Sequence, residues 1–213
     1  MVTHLPPHRA RYLMVGPRGE PTGEEELELG HDGGGYRVAS RIRFTDPAAI
    51  SCSLVWELDG NLRTRMLLIT GTNGSGEEYE LELALTGNGV LAHRRAPDGP
   101  TQIEMGWGPD AELDFISAAF TSVLVARSDF SHAAQRKVTV VLIASTDLIP
   151  VVVEEEYRLL GPTEWRTATG VQPARELEVH VAASGHRARL LVLDDGIVAQ
   201  QQGVLELDSL ELL

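Results

Sequence analysis

A chain of 213 residues and 23.2 kDa is long enough to bury one sizeable core, and its 31 acidic against 18 basic residues leave a formal charge of −13 that repels nucleic-acid phosphates. No apolar run approaches the roughly 20 residues that span a bilayer, and no basic segment followed by an apolar stretch opens the chain, so a soluble, cytoplasmic protein without a transmembrane segment is expected. The one cysteine, Cys52, excludes an internal disulfide and any multi-cysteine metal or cluster site within the chain.

In chain order, residues 1–34 read as an extended segment that lends one strand to a single domain formed by residues 35–213. In that segment Leu27 and Leu29 alternate with Glu26 and Glu28, the pattern of a half-buried strand. Gly33, Gly34 and Gly35 read as a turn, because they lack the strand-then-helix setting of a phosphate-binding loop. Tyr36, Val38, Ser40, Ile42 and Phe44 then fall on one face and Arg37, Arg41 and Arg43 on the other, which predicts a strand with one wet side. Cys52, Leu54, Trp56 and Leu58 continue the alternation, and Asp59-Gly60 predicts a two-residue hairpin into a return strand over residues 62–70. Tyr79, Leu81, Leu83 and Leu85 alternate with glutamates before Asn88-Gly89 predicts a tight turn into residues 90–95.

The second half repeats this style. Strands are predicted over 138–144, 150–160, 164–169 (across a Gly161-Pro162 turn), 176–181, 187–193, 197–202 and 204–212, with Asp195-Gly196 as a further turn. Only residues 110–119 and 131–136 could hold a helical turn, and both are too short for a stable isolated helix. So many strands in one domain must curl or close, because a flat open sheet leaves edges and an unburied face. The fold class is therefore all-β: a large antiparallel curled sheet forming a spiral β-roll or barrel-like domain. Its hairpin pairs recur in the second half, as two duplicated halves would have them.

Residues able to carry chemistry are sparse. The histidines are scattered singly, no pair stands at metal-ligand spacing on a helix, and neither a metal nor another cofactor is expected. No nucleophile elbow is present, and Cys52 lies in a strand among apolar neighbours, the setting of an inert core thiol. Glu154 and Glu156 share one face of a strand, roughly 7 Å apart by strand rise, beside the intervening Glu155; a solvated face is the simpler reading of them than an acid–base pair. Trp56, Trp107 and Trp165, with Tyr157, lie on or beside predicted strands, where they either fill a core or line a cavity inside the curled sheet.

Residues 108–130 carry a pattern of two acidic residues flanking an apolar one, then hydroxyl-bearing residues, a leucine and an arginine: Glu112, Asp114, Phe115, Thr121, Leu124 and Arg127. This pattern resembles the central signature of a bacterial family of proposed glycolipid-binding proteins. The hairpin over residues 55–69, Asn88-Gly89 and Tyr157 match that family in the same order. Ser122 stands where the family has asparagine and Ser128 where it has a second arginine, while Leu62 and Leu91 replace tryptophans, so a divergent member is implied. The resemblance implies a spiral antiparallel β-roll whose concave interior takes an amphiphile.

Asp114 and Arg127 sit either side of one connection, where a structural ion pair is the simpler reading; the sharper one gives Arg127, Thr121 and Ser122 a polar head group to hold at a cavity mouth. The candidate ligand-binding residues are thus Asp114, Thr121, Ser122, Arg127, Tyr157, Trp56, Trp107 and Trp165. A non-enzymatic protein binding an amphiphilic, glycolipid-like small molecule is the reading taken forward, with no nucleic-acid partner. Two alternatives stand beside it: an enzyme using carboxylates such as Asp114 or Glu156 on a similar substrate, and a homodimeric interaction module joined through an exposed strand edge.

Overall fold

A computed structural model describes residues 4–86, 89–106, 111–128, 130, 134–167 and 170–213. The first arm of the chain forms β1 (His8–Val15), β2 (Pro21–Asp32), β3 (Gly35–Phe44), β4 (Ser51–Asp59), β5 (Thr64–Thr72), β6 (Glu78–Thr86), β7 (Gly89–Ala96) and β8 (Gly99–Gly106). The second begins with β9 (Glu112–Asp114) and a helix, α1 (Ala118–Arg127). It continues through β10 (Gln135–Ile143), β11 (Pro150–Thr167), β12 (Gly170–Val181), β13 (His186–Leu193), β14 (Val198–Gln201) and β15 (Leu205–Leu212). All belong to one sheet in the order β8-β7-β6-β5-β4-β3-β2-β1-β15-β14-β13-β12-β11-β10-β9. Every neighbouring pair is antiparallel except β9 and β10, which run parallel because α1 crosses over between them.

The two arms meet where β1 pairs with β15. The first 34 residues therefore supply two strands at the centre of the sheet, where the sequence suggested one. Along β1 to β4 the alternation puts Tyr12, Met14, Leu29, Val38, Ile42, Leu54 and Trp56 on the buried face. The other face carries ion pairs from strand to strand, among them Arg9–Glu28 at 2.9 Å and Glu24 between Arg11 and Arg43, each at 2.9 Å. Such exposed pairs contribute about 0–1 kcal/mol each, so the buried row and not the charged one holds the strands in register. Gly35 begins β3 where a Cβ would meet the Leu58 carbonyl oxygen at 2.1 Å, and Gly33 and Gly34 take the left-handed backbone of a turn.

The concave face is filled by α1, the largest departure from the sequence reading. Ser117 caps its N-terminus, its hydroxyl accepting from the Ala119 N–H, and Ser128 closes it by donating its N–H to the Leu124 carbonyl. Every residue from Ala118 to Ala126 is buried, so the helix is enclosed all round and draws its stability from packing on all sides. Length is a poor guide for such a helix, since the rule for isolated helices does not apply inside a core. The predicted helical turn over 110–119 overlaps only its first residues; Asp110, and residues 131–133 of the other predicted turn, lie outside the described residues, as does Asn88.

Two turns also differ. The Asp59-Gly60 hairpin is longer than two residues: Asp59 Oδ1 accepts from the N–H groups of Asn61 and Arg63, and Leu62 adopts φ 61° with its side chain buried, so β5 starts at Thr64. Gly161-Pro162 is no turn but the site of a bulge between Leu159 and Gly161 within one 18-residue strand, β11. Pro162 is tolerated there because β10 pairs with β11 only as far as Arg158, leaving that flank an edge. The curl closes at the β10–β11 tip: the Ile50 N–H donates to the Ser145 carbonyl at 3.0 Å, and the buried Arg94 donates through Nε to the Asp147 carbonyl at 2.6 Å.

Candidate functional site

Larger depressions of about 700 and 460 Å³ are lined by the paired arginines and glutamates of the solvated face. A smaller cavity of about 210 Å³ differs in kind. It lies between α1 and the inner face of the second arm, and it brings together two acidic groups of that arm, Asp114 and Glu155. Strand register assembles it. Glu155, Val181 and His186 pair in one row across β11, β12 and β13; Tyr157 and Val179 occupy the next inner row; Asp114 stands opposite Leu142 on β9 and β10. Thr121 enters from the helix and Gln201 from β14, and Thr121 Oγ1 donates to Gln201 Oε1 at 3.4 Å.

The electrostatics follow from the burial of the carboxyls and the phenol. Burial pushes the Asp114 carboxyl up to about 8, and the neighbouring Glu155 pushes it in the same direction. Burial also raises Glu155, opposed by the Tyr157 hydroxyl, which donates to Glu155 Oε2 at 2.7 Å, and by His186. Burial and the two carboxylates hold the Tyr157 phenol well above its ordinary value, so it stays a donor. The two acids titrate as a pair, so one carboxyl of the pair can hold a proton and donate while the other accepts. Thr121, Ser184, Gln201 and His186 complete a lining that both donates and accepts, and Leu142, Val179, Val181 and Leu190 supply apolar wall.

Of the residues singled out in the sequence, Asp114, Thr121 and Tyr157 meet at this cavity. The others do not. Arg127 pairs with Glu112 at 2.5 Å and not with Asp114, because α1 runs back along β9 and its last residue lies level with the first residue of that strand. Ser122 Oγ accepts from the Val198 N–H at 3.1 Å and ties the helix to β14. Trp56 stacks on Phe120 with centroids 4.3 Å apart and donates Nε1 to Thr64, so it pins the helix.

Trp165 is an even number of residues from Tyr157, which puts both on one face of an unbroken strand. The bulge between Leu159 and Gly161 reverses that parity, and Trp165 packs with Ala174, Leu193, Ile197 and Ala199 on the opposite face. Trp107 lies outside the described residues. Glu156, the carboxylate offered for an enzyme, accepts a hydrogen bond from Gln135 and does not line the cavity. Cys52 is a buried thiol pushed up to about 12 by its burial and by Glu25, consistent with an inert core role.

Sequence reasoning missed Glu155, His186 and Gln201. For Glu155 a signal existed: it shares parity with Val153 and Tyr157, whereas Glu154 and Glu156 share parity with Arg158. It missed Glu25 too, which has the parity of Leu27 and Leu29. Fully buried, Glu25 accepts from Ser40 Oγ at 2.6 Å, from Ser117 Oγ and from the Ala118 N–H at 3.0 Å, so it anchors the helix start to the sheet.

No protein-family profile matches the sequence, and no curated protein matches it either. Among solved structures, a DUF1089 family protein from Pseudomonas aeruginosa is similar over 87% of this chain and 91% of its own, with a TM-score of 0.61 and 18% identity. A β-barrel-like protein of the domain of unknown function DUF1849 from Brucella abortus is similar over 99% of both chains, with a TM-score of 0.68 and 12% identity. At these identities the likeness is one of fold, a curled antiparallel β-barrel-like sheet, and neither name assigns a ligand. Among the described residues no helix is long and apolar enough to cross a membrane.

Proposed function

We propose that this protein is a non-enzymatic binding protein for a small polyhydroxylated molecule, a sugar ring or the sugar-like head group of an amphiphile, seated in the Asp114–Glu155–Tyr157 cavity. The observation that carries this reading is the coexistence, around one partly open cavity, of two carboxyls, a phenol, two aliphatic hydroxyls and an amide. Sugar hydroxyls donate and accept at once and match such a lining, whereas a cation would be served by two ionised carboxylates and no imidazole. At about 210 Å³ the space falls below the roughly 300–1,000 Å³ of drug-sized ligand pockets, so it suits a single ring. The buried helix α1 occupies the concave face, where an acyl chain would otherwise lie. In the amphiphile reading the cavity thus accounts for the head group and leaves the tail outside.

Calorimetric titration of the full chain with a panel of methyl hexopyranosides tests this. At least one binds saturably, and Glu155→Gln or Tyr157→Phe weakens it about tenfold, the worth of one charge-assisted hydrogen bond. Failure of the whole panel to bind overturns the proposal. A second reading is favoured by two carboxyls that titrate as a pair, Asp114 and Glu155, lining one cavity, which would suit an acid and a base acting on the same ligand. Release of nitrophenol from nitrophenyl glycosides, abolished by Asp114→Asn in a folded protein, would carry it.

A further inference from the structure

A second concavity, of about 500 Å³, opens where the β4–β5 turn, the C-terminal end of α1 and the start of β10 converge. Its lining holds Arg63, Arg127, Arg136 and Lys137, the one lysine of the chain, against a single carboxylate, Glu112. Glu112 is engaged by Arg127 at 2.5 Å. Arg63, Arg136 and Lys137 form no ion pair among the described residues, whereas most arginines elsewhere, such as Arg9, Arg11, Arg43, Arg95 and Arg189, are paired with a glutamate. A chain of net charge −13 thus gathers Arg63, Arg136 and Lys137 around one hollow with a single carboxylate in its lining, and only Lys137 has an acid, Glu156, directly across the strands from it; an anion seated in the hollow would relieve their mutual repulsion.

The scaffold around them is held. Asp59 Oδ1 fixes the N–H groups of Asn61 and Arg63, and the Asp59 N–H donates to the Arg63 carbonyl at 2.8 Å. Leu62 between them takes a left-handed backbone, uncommon for a leucine, that buries its own side chain while Asn61 and Arg63 stay exposed. On the other wall β9 covers β10 only from Val140 to Leu142, so the segment bearing Arg136 and Lys137 lies beyond the reach of that last strand.

We infer that this pocket is an oxyanion site that takes a phosphate group, with the guanidinium forks of Arg63 and Arg136 and the Lys137 ammonium as its donors. It shares no residue with the sugar-sized cavity, and its test is independent of that reading. A free phosphate compound and a phospholipid head group present the same chemistry to it.

Titration of the full chain with inorganic phosphate, followed by NMR, and flotation with phosphatidylglycerol vesicles against phosphatidylcholine ones, separate the two sources. Saturable phosphate binding that falls about tenfold or more in the Arg136→Ala, Lys137→Ala double variant, and is unchanged in Arg18→Ala, supports the site with a soluble anion as its ligand. Flotation with phosphatidylglycerol alone, lost in the same double variant and kept in Arg18→Ala, supports it with a head group as its ligand. Arg63→Ala, on the opposite wall, weakens whichever binding is seen. Absence of both, or equal loss in Arg18→Ala, overturns the proposal.

Discussion

Asp114 and Glu155 convert burial into a pH dependence whose sign is fixed. Each is raised above its ordinary value in the folded protein, Asp114 to about 8, so between the ordinary carboxylate range and that value the native state holds protons the unfolded chain has released. Their contribution to stability is therefore most favourable in acid and is lost as pH rises through the folded titration. For one proton the slope reaches at most about 1.4 kcal/mol per pH unit. Asp114→Asn flattens this dependence: urea denaturation between pH 5 and 9 should show the parent losing stability relative to the variant as pH rises. Glu25 tests the cost of a buried acceptor in a different way. Glu25→Ala strands the Ser40 and Ser117 hydroxyls and the Ala118 N–H, and should cost about 2–3 kcal/mol in a denaturant melt, while Glu25→Gln, which keeps an acceptor oxygen, costs less.

At the scale of elements, α1 determines what the curled sheet can enclose. Phe120, stacked on Trp56 and edge-on to Phe115, fastens the helix to the first arm, as Glu25 does at the helix start. Phe120→Ala should cost about 3–5 kcal/mol, read from the denaturation midpoint, and should speed amide exchange in residues 118–127 ahead of the strands. The strands were legible in the sequence because one wet face and one dry face impose a period of two, as in Tyr36, Val38, Ser40 and Ile42 against Arg37 and Arg41. The helix was not, because a segment buried on every side has no polar stripe to reveal its period. β11 shows the other limit. Its bulge adds one residue and carries Trp165 to the opposite face of the sheet, and alternation counted through Gly161 gives no sign of it. In the same strand the inward row of Val153, Glu155 and Tyr157 was readable, and the cluster Glu154 to Glu156 concealed it by offering three acids where one turns inward.

Over the whole molecule, two meandering arms join at β1 and β15, and the β10–β11 tip bridges back to the first arm through Ser145 and Asp147. The arms differ in what they enclose. The first packs Tyr12, Met14, Leu54, Trp56 and Leu67 into the main core with α1, while the second leaves the polar cavity beside the helix. On the proposed function, a guest held there would be gripped by its hydroxyls, and any alkyl chain it bears would stay in water. The deciding measurement is the affinity of one glycoside series, methyl, butyl, hexyl and octyl, below the concentration at which the longest forms micelles. Saturable binding that does not strengthen with chain length is predicted. Affinity climbing by about 0.8 kcal/mol, or about fourfold, for each added methylene would reveal an apolar compartment for the tail and contradict the account.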